Sequence, residues 1–244
     1  MNALAAPALP SEAVAPAGAS HVAGEFDPVS AHFLHRGHGA EFEMETDWVR
    51  AQMPPYAQRV VDVGCGAGGL FPTLGERRTI GVDFVAEGLA HTRERFPSVP
   101  LTCAGADCLP FADASLDTVA LQHVIEHLAH VREALAEWLR ILKPGGLLLL
   151  LTPNRRFCDP KVFDDPTHVR LFDRRDLTDV VTDAGFDVTD LRTLGLPWFR
   201  SYQRIPSGWR LRRFVTGRAY AISAIPLLRW KGQTLCCAAR RPLT

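Results

Sequence analysis

Short apolar runs alternate with helical patterns from Arg59 to the carboxyl end of the 244-residue chain. This alternation predicts βα units stacked around a mostly parallel sheet, because a strand buried on both faces reads as a continuous aliphatic run. We therefore expect an α/β fold with helices on both faces of one sheet. The seven expected strands span residues 60–63, 79–82, 101–104, 118–121, 147–151, 186–191 and 234–238.

Two helices follow from apolar positions that recur at spacings of three and four residues. One is expected to end at Pro144-Gly145-Gly146, a sequence that stops helices. Its apolar face would consist of Leu128, Val131, Leu135, Trp138, Leu139 and Leu142. The other is expected over residues 174–184, with Asp173 as its N-cap and Gly185 as its stop.

A glycine-rich turn follows the first expected strand. Gly64, Gly66 and Gly69 satisfy the pattern G-x-G-x-x-G. Glycine is required where the chain turns tightly and a ligand touches the backbone. Many nucleotide binders share this pattern. However, Asp62 at the strand end would repel a pyrophosphate at the helix N-terminus and suits a ligand with a cationic centre.

Acidic residues also follow the next two strands. Asp83 comes at the end of the second strand, where its carboxylate can accept hydrogen bonds from a ribose diol. Asp107 follows the third strand, where it can accept a hydrogen bond from the exocyclic amine of an adenine. Three carboxylates at successive strand ends predict an adenosyl ligand that bears an amino acid and no phosphate.

Four blocks of sequence together resemble the class I S-adenosylmethionine-dependent methyltransferases, and most closely their type 11 small-molecule group. The blocks are residues 61–68, 81–83, 106–111 and 142–146. The resemblance implies a Rossmann-like, doubly wound, three-layer αβα fold whose seven-stranded sheet has an antiparallel last strand. It implies S-adenosyl-L-methionine as the cofactor over the carboxyl ends of the first strands. The cofactor-binding residues it implies are Asp62, Gly64, Cys65, Gly66, Gly68, Asp83, Phe84, Ala106, Asp107, Cys108, Gln122 and His123.

Candidate catalytic residues lie in the loops after the fourth and fifth strands. An acceptor hydroxyl must lose a proton, for which a positioned histidine is well suited. His127 is one candidate, and the alternative is that Glu126 and His127 orient their loop. His127 ends the sequence H-x-x-E-H, which also spells an inverted zinc-protease motif. Because that motif requires a helix of a different fold and a further acidic ligand downstream, we expect no metal.

His168 lies ahead of Phe172 in a segment that resembles O-methyltransferases of quinone and related pathways. His168 is therefore a second candidate catalytic residue, either as a base or in binding the acceptor. The alternative is that it orders its loop through a hydrogen bond to the backbone. The expected acceptor is a small molecule of quinone-, lipid- or sugar-pathway type, and O-methylation is favoured.

The charge is zero overall, with 27 Lys and Arg against 27 Asp and Glu, but it is unevenly distributed. Residues 191–244 hold 11 basic and no acidic side chains. Most of these lie in an aromatic segment inserted at about 195–232 between the last two strands. Three interpretations stay open: a lid over the acceptor, a surface at 200–230 for anionic membrane or a lipophilic acceptor, or an RNA-binding face. The acidic body and the lack of a recognised RNA-binding module make nucleic acid the least favoured partner.

The remaining expectations concern domains and compartment. Residues 1–24 predict a flexible Ala- and Pro-rich tail, residues 25–58 predict lid helices, and residues 59–244 form the expected methyltransferase domain. The six cysteines include no C-x-x-C pair, which favours a reduced, cytoplasmic protein. Peripheral membrane contact would come through residues 200–230.

Two other functions stay open at this point. One is an NAD(P)-dependent Rossmann oxidoreductase, against which the sequence lacks Tyr-x-x-x-Lys. The other is a non-catalytic adenosyl-binding scaffold protein, which would keep the three carboxylates but lack an acceptor pocket.

Overall fold

A computed structural model describes residues 40–158, 162, 164–195 and 231–244. Its strands are β1 (Val60–Val63), β2 (Thr79–Asp83), β3 (Leu101–Cys103), β4 (Leu116–Gln122), β5 (Leu142–Pro153), β6 (Asp187–Leu194) and β7 (Thr234–Arg240). They form one seven-stranded sheet in the order β3-β2-β1-β4-β5-β7-β6. Strand β7 pairs antiparallel with β5 and with β6, whereas β1 to β5 pair in parallel. The predicted α/β sheet and its antiparallel last strand are confirmed.

Helices cover both faces of this sheet. They are α1 (Ala40–Gln52), α2 (Phe71–Leu74), α3 (Ala86–Arg95), α4 (Val131–Ile141) and α5 (Arg174–Asp183), with 3₁₀ turns at Glu76–Arg78 and Ile125–His127. Successive residues of β5 face opposite sides, as the pleat requires. Leu148 and Leu150 belong to the core cluster that contains α4 and α5, and Leu149 belongs to the cluster that contains α1. This alternation produces the three expected layers.

The apolar pattern overestimates the length of α4. The helix ends at Ile141, and Leu142 already belongs to β5, where it pairs with Leu116 of β4. The backbone N–H of Gly145 donates to the carbonyl of Arg241, which follows β7. The prediction that this helix ends at Pro144-Gly145-Gly146 is therefore wrong, because the chain leaves the helix at Leu142 to pair with β4, and Gly145 and Gly146 then hydrogen-bond with Arg241.

Several predicted regions lie outside the described residues: the tail at 1–24, residues 25–39 of the expected lid, and residues 196–230 of the inserted segment. Helix α1, from the expected lid region, packs in the core. Trp48 is fully buried, and its Nε1 donates to Oδ2 of Asp190 on β6 at 3.1 Å. Among the helices that the structure describes, none has the length and apolar character to cross a membrane.

Asp117 joins three segments at the edge of the sheet opposite the glycine turn. Its carboxylate accepts hydrogen bonds from the backbone N–H groups of Gln58 and Arg59 and pairs with Lys143. Burial acts to raise the pKa of Asp117, but the hydrogen bonds from Lys143 and from the two amides lower it below its ordinary value. The carboxylate form is therefore part of what stabilises the fold.

We expect Asp117→Asn to lower the free energy of unfolding by about 1–2 kcal/mol at neutral pH, because it removes the charge from these hydrogen bonds. A carboxyl whose pKa is depressed in the folded state stabilises above its unfolded pKa and loses that contribution in acid. The difference between variant and wild type should therefore shrink as the pH falls below about 3.9. Urea unfolding at several pH values measures it, and a pH-independent difference would contradict this account.

Candidate active site

The carboxyl ends of β1, β2 and β4 meet at one edge of the sheet, where Val63 pairs with Val82 on one side and Leu121 on the other. The glycine turn begins directly after Val63. Gly64 has a φ of +69°, in the left-handed region that favours glycine, and a Cβ there would lie 2.4 Å from Cγ2 of Val124. The loop after β4 therefore packs directly on the glycine turn, which only glycine permits.

Asp62 is almost completely buried at the end of β1. Its Oδ1 has no hydrogen-bond partner among the described residues. Burial, together with the nearby charge of Asp83, raises the pKa of Asp62 well above its ordinary value. An unsatisfied buried acceptor costs about 1–3 kcal/mol. The site therefore fits a ligand that brings a cationic donor, as the amino group of S-adenosylmethionine does.

Asp83 is also buried, at the end of β2, but its carboxylate has partners. Oδ2 accepts from the backbone N–H of Gly66 at 2.9 Å, and Oδ1 accepts from that of Val85 at 3.0 Å. Each carboxylate oxygen has a second lone pair, so both can still accept hydrogen bonds from a ribose. Phe84 follows with about half of its surface exposed, which leaves a large apolar face beside this carboxylate.

The loop after β3 is held against α4. Trp138 Nε1 donates to the carbonyl of Ala106 at 2.8 Å, and Glu137 accepts from the backbone N–H of Leu109 at 2.7 Å. Within this anchored loop, Asp107 is half-buried and Cys108 is exposed, so both are accessible to a ligand. Cys65 is also a predicted cofactor-binding residue, but its side chain is buried in a core cluster, so only its backbone can face the turn. Gly68 has a φ of +74° and lies next in the turn.

Gln122 and His123, predicted beside the cofactor, are both held by Glu45 of α1. Gln122 Nε2 donates to Oε2 of Glu45 at 2.6 Å, and His123 Nε2 lies 3.2 Å from Oε1. On its other side, His123 Nδ1 lies 3.4 Å from Oε1 of Glu126. Burial would lower the pKa of His123, but the two carboxylates raise it to about 10, so the ring is an imidazolium. His123 also has a φ of +56°, a strained conformation that recurs at functional sites.

Glu45 is the site residue that sequence reasoning missed. Its carboxylate is buried and also accepts from the hydroxyl of Thr234 on β7 at 2.8 Å. A signal was present, because Glu45 adjoins Met44 and lies near Trp48 on a helix whose buried side chains are otherwise largely apolar. A carboxylate on such a helix needs a buried polar partner. Which partner it finds depends on the fold, since His123 lies 78 residues away in the chain.

The structure brings His127 and His168 together, with ring centroids 4.8 Å apart. His127 Nδ1 lies 3.0 Å from the carbonyl oxygen of Thr167, and His168 Nδ1 lies 2.6 Å from that of Val162. A carbonyl oxygen only accepts, so Nδ1 carries the hydrogen and Nε2 carries the lone pair in each neutral ring. Both histidines therefore order their loops, which was the alternative interpretation of His168.

His168 nevertheless retains a nitrogen for chemistry. Its Nε2 is buried and makes no hydrogen bond with any part of the chain that the structure describes. Glu126 lies beside the two rings, where ligand atoms of Glu126, His127 and His168 all come within 4.8 Å of one another. The backbone carbonyl of Glu126 accepts from the N–H groups of Val169 and Arg170, which fixes the two loops together. The cluster therefore contains two histidines that order their loops and one buried nitrogen, Nε2 of His168, that can still accept a hydrogen bond.

Comparison with known proteins shows what this chain is similar to. Residues 61–150 match the family model described as a methyltransferase domain. The chain is 38% identical over 141 residues to a protein of Mycolicibacterium smegmatis named "Probable S-adenosylmethionine-dependent methyltransferase", covering 56% of this chain and 54% of that protein. It is 27% identical over 146 residues to a ubiquinone biosynthesis O-methyltransferase of Parvibaculum lavamentivorans, covering 57% of this chain and 56% of that protein.

A solved structure shows the same fold. The SAM-dependent methyltransferase of Thermotoga maritima superposes with a TM-score of 0.59 and 21% identity, covering 82% of this chain and 89% of that one. Likeness at this identity concerns the fold. The chain spans between 54% and 61% of the length of the mycobacterial relatives that it matches.

We expect Asp62→Asn to separate stability from binding. The neutral amide replaces a buried carboxyl group whose Oδ1 has no partner among the described residues, so the ligand-free variant should unfold at the same temperature as wild type or higher. Its affinity for S-adenosylmethionine should fall about tenfold or more, because the ligand's cationic donor loses a charged acceptor. Thermal unfolding and calorimetric titration measure the two effects. The exposed Asp47→Asn is the matched control, and unchanged affinity in Asp62→Asn would refute the assignment.

Proposed function

We propose that this chain, which carries a class I S-adenosylmethionine-dependent methyltransferase domain, methylates a hydroxyl group of a small acceptor. The observation that carries the acceptor side of this proposal is the buried Nε2 of His168, which has a lone pair and no partner among the described residues. When bound, S-adenosylmethionine supplies a methyl group on a sulfonium sulfur. The residues of the chain must bind that cofactor and prepare the acceptor.

Cofactor binding is assigned to the carboxylates at the three strand ends. Asp62 would receive the amino group of the methionine portion, because its Oδ1 is buried without a donor. Asp83 would accept hydrogen bonds from the ribose, and Asp107 would accept one from the adenine amine. Phe84 offers an exposed aromatic face next to Asp83, suited to an adenine ring.

Acceptor binding is assigned to the loops that carry His127 and His168. The contact of Val124 with Gly64 holds the first of these loops on the turn that would bind the cofactor. Methyl transfer is an in-line displacement, so positioning the acceptor oxygen supplies much of the rate. The hydroxyl must also lose a proton, and a pair of histidines at this position suits that task. The preference for oxygen rests on these histidines, because the relatives include both a ubiquinone biosynthesis O-methyltransferase and a ubiquinone/menaquinone biosynthesis C-methyltransferase.

The inserted segment at about 195–232 completes the proposal. It lies within residues 191–244, which contain basic but no acidic side chains, and the segment is rich in aromatic side chains. Such a composition suits a cover over an anionic or lipophilic acceptor, with anionic lipid as a further ligand of residues 200–230. We accordingly propose a small, lipophilic or anionic acceptor and a cytoplasmic enzyme.

His168→Asn distinguishes chemistry from loop ordering. The asparagine amide can replace Nδ1 as the donor to the Val162 carbonyl, but the variant lacks Nε2. We expect turnover with a hydroxyl acceptor to fall by about 10²–10⁴-fold, while the dissociation constant for S-adenosylmethionine stays unchanged. Transfer of radiolabelled methyl groups to a panel of phenols, quinols and hydroxylated lipids measures this.

The control for that experiment is His91→Ala, which removes an exposed histidine of α3. Its turnover should equal that of wild type. Retention of full activity in His168→Asn would show that the histidine orders its loop and that the hydroxyl is activated elsewhere.

A further inference from the structure

We propose that Glu126, His127 and His168 form a binding site for a divalent transition-metal ion of the zinc, cobalt or iron(II) class. The three side chains come from two loops that lie 41 residues apart, and each offers one ligand atom within 4.8 Å of the others. Two imidazole nitrogens and one carboxylate oxygen are the donor set of many catalytic zinc and non-haem iron sites. Three protein ligands leave at least one position open for a substrate.

The spacing suits an ion after a small closure. Ligand atoms at about 2.0–2.1 Å from a tetrahedral metal lie about 3.3 Å from one another. The separation of up to 4.8 Å therefore has to shrink by about 1.5 Å, which side-chain rotation can provide. Both loops are already fixed to each other through the Glu126 carbonyl, so the backbone need not move far.

The surroundings orient the three side chains as ligands. Histidines that bind metals commonly donate their second ring N–H to a backbone carbonyl, which fixes the tautomer and the ring orientation. His127 and His168 both make this contact, to Thr167 and Val162 respectively. The hydroxyl of Thr152 donates to Oε2 of Glu126 at 3.0 Å.

One buried atom of the cluster, Nε2 of His168, lacks a hydrogen bond in the described part of the chain. Oε1 of Glu126 lies 3.4 Å from Nδ1 of His123, and the Glu126 side chain is completely buried. Leaving a buried acceptor unsatisfied costs free energy that a bound cation would recover. The observation favours a ligand that is an electron-pair acceptor, as a metal ion is.

The sequence motif H-x-x-E-H includes His123, but in the folded chain His123 pairs with the carboxylates of Glu45 and Glu126. The ring that lies beside His127 is that of His168.

The role of the ion rests on the proposed function, whereas its binding does not. A hydroxyl at the open position would lose its proton to solvent more readily, since a metal ion lowers the pKa of a hydroxyl group that it binds. His168 would then act as a ligand and not as the proton acceptor. Removal of Nε2 lowers turnover in either case, so metal binding itself must be measured.

The experiment is titration of the chelator-treated full chain with Co²⁺, followed by absorbance in the visible range and by calorimetry. We expect one equivalent to bind with the intense bands of four- or five-coordinate cobalt, and one equivalent of Zn²⁺ to displace it. His168→Asn and His127→Asn should each weaken binding by at least about tenfold. Circular dichroism checks that each variant folds. Because two different ligands are replaced, the test still holds if one of the variants does not fold.

The control is a triple variant, in which alanine replaces His32, His35 and His38, a second run of histidines in the chain. It should bind cobalt like wild type.

The proposal is overturned if wild type binds no cobalt saturably, or if binding survives in both asparagine variants and disappears in the triple variant. Cobalt binding without methyl transfer to any hydroxyl would instead refute the proposed function alone. Methyl transfer that persists without any metal binding would refute this inference alone.

Discussion

The carboxyl edge of the sheet concentrates buried acidic groups, and this constraint shapes everything around it. Asp62, Asp83, Glu45 and Glu126 are all buried there, although burial of a carboxylate is costly unless it is paired. Three of them have partners within the chain: backbone amides for Asp83, and His123 for the two glutamates. Asp62 retains an oxygen without a partner. The fold tolerates this cost at the point where a cationic ligand would relieve it.

The same edge explains why helix α1 belongs to the site. Glu45 reaches across the sheet to Gln122, His123 and Thr234, so three elements converge on a single carboxylate. His123 in turn links this carboxylate to Glu126, and Glu126 adjoins the two remaining histidines. A continuous polar network therefore runs from helix α1 to the loop after β5. Networks of this kind are stable only when nearly every member is satisfied, and the exception among the described residues of this network is Nε2 of His168, an atom suited to a ligand.

Much of this could be predicted from sequence, because the decisive signals were local. The aliphatic runs predicted all seven strands, and the glycine turn and its neighbouring aspartates predicted the edge that we propose binds the cofactor. The end of α4 could not be predicted, since Leu142 leaves the helix to pair with Leu116. The pairing of Glu45 with His123, and of His127 with His168, depends on contacts between distant segments. Periodicity and motif spacing carry no information about such contacts.

The central claim is that the edge binds a sulfonium cofactor, and thermal unfolding tests it most directly. The unfolding temperature of the chain would be measured with S-adenosylmethionine, with its demethylated product and with NAD⁺, each over a range of concentrations. A ligand at 100 times its dissociation constant stabilises by about 2.7 kcal/mol, which corresponds to roughly 5–10 °C for a chain of this size. The account predicts such a rise with the first two ligands and none with NAD⁺. A rise with NAD⁺ alone, or no rise with S-adenosylmethionine, would contradict it.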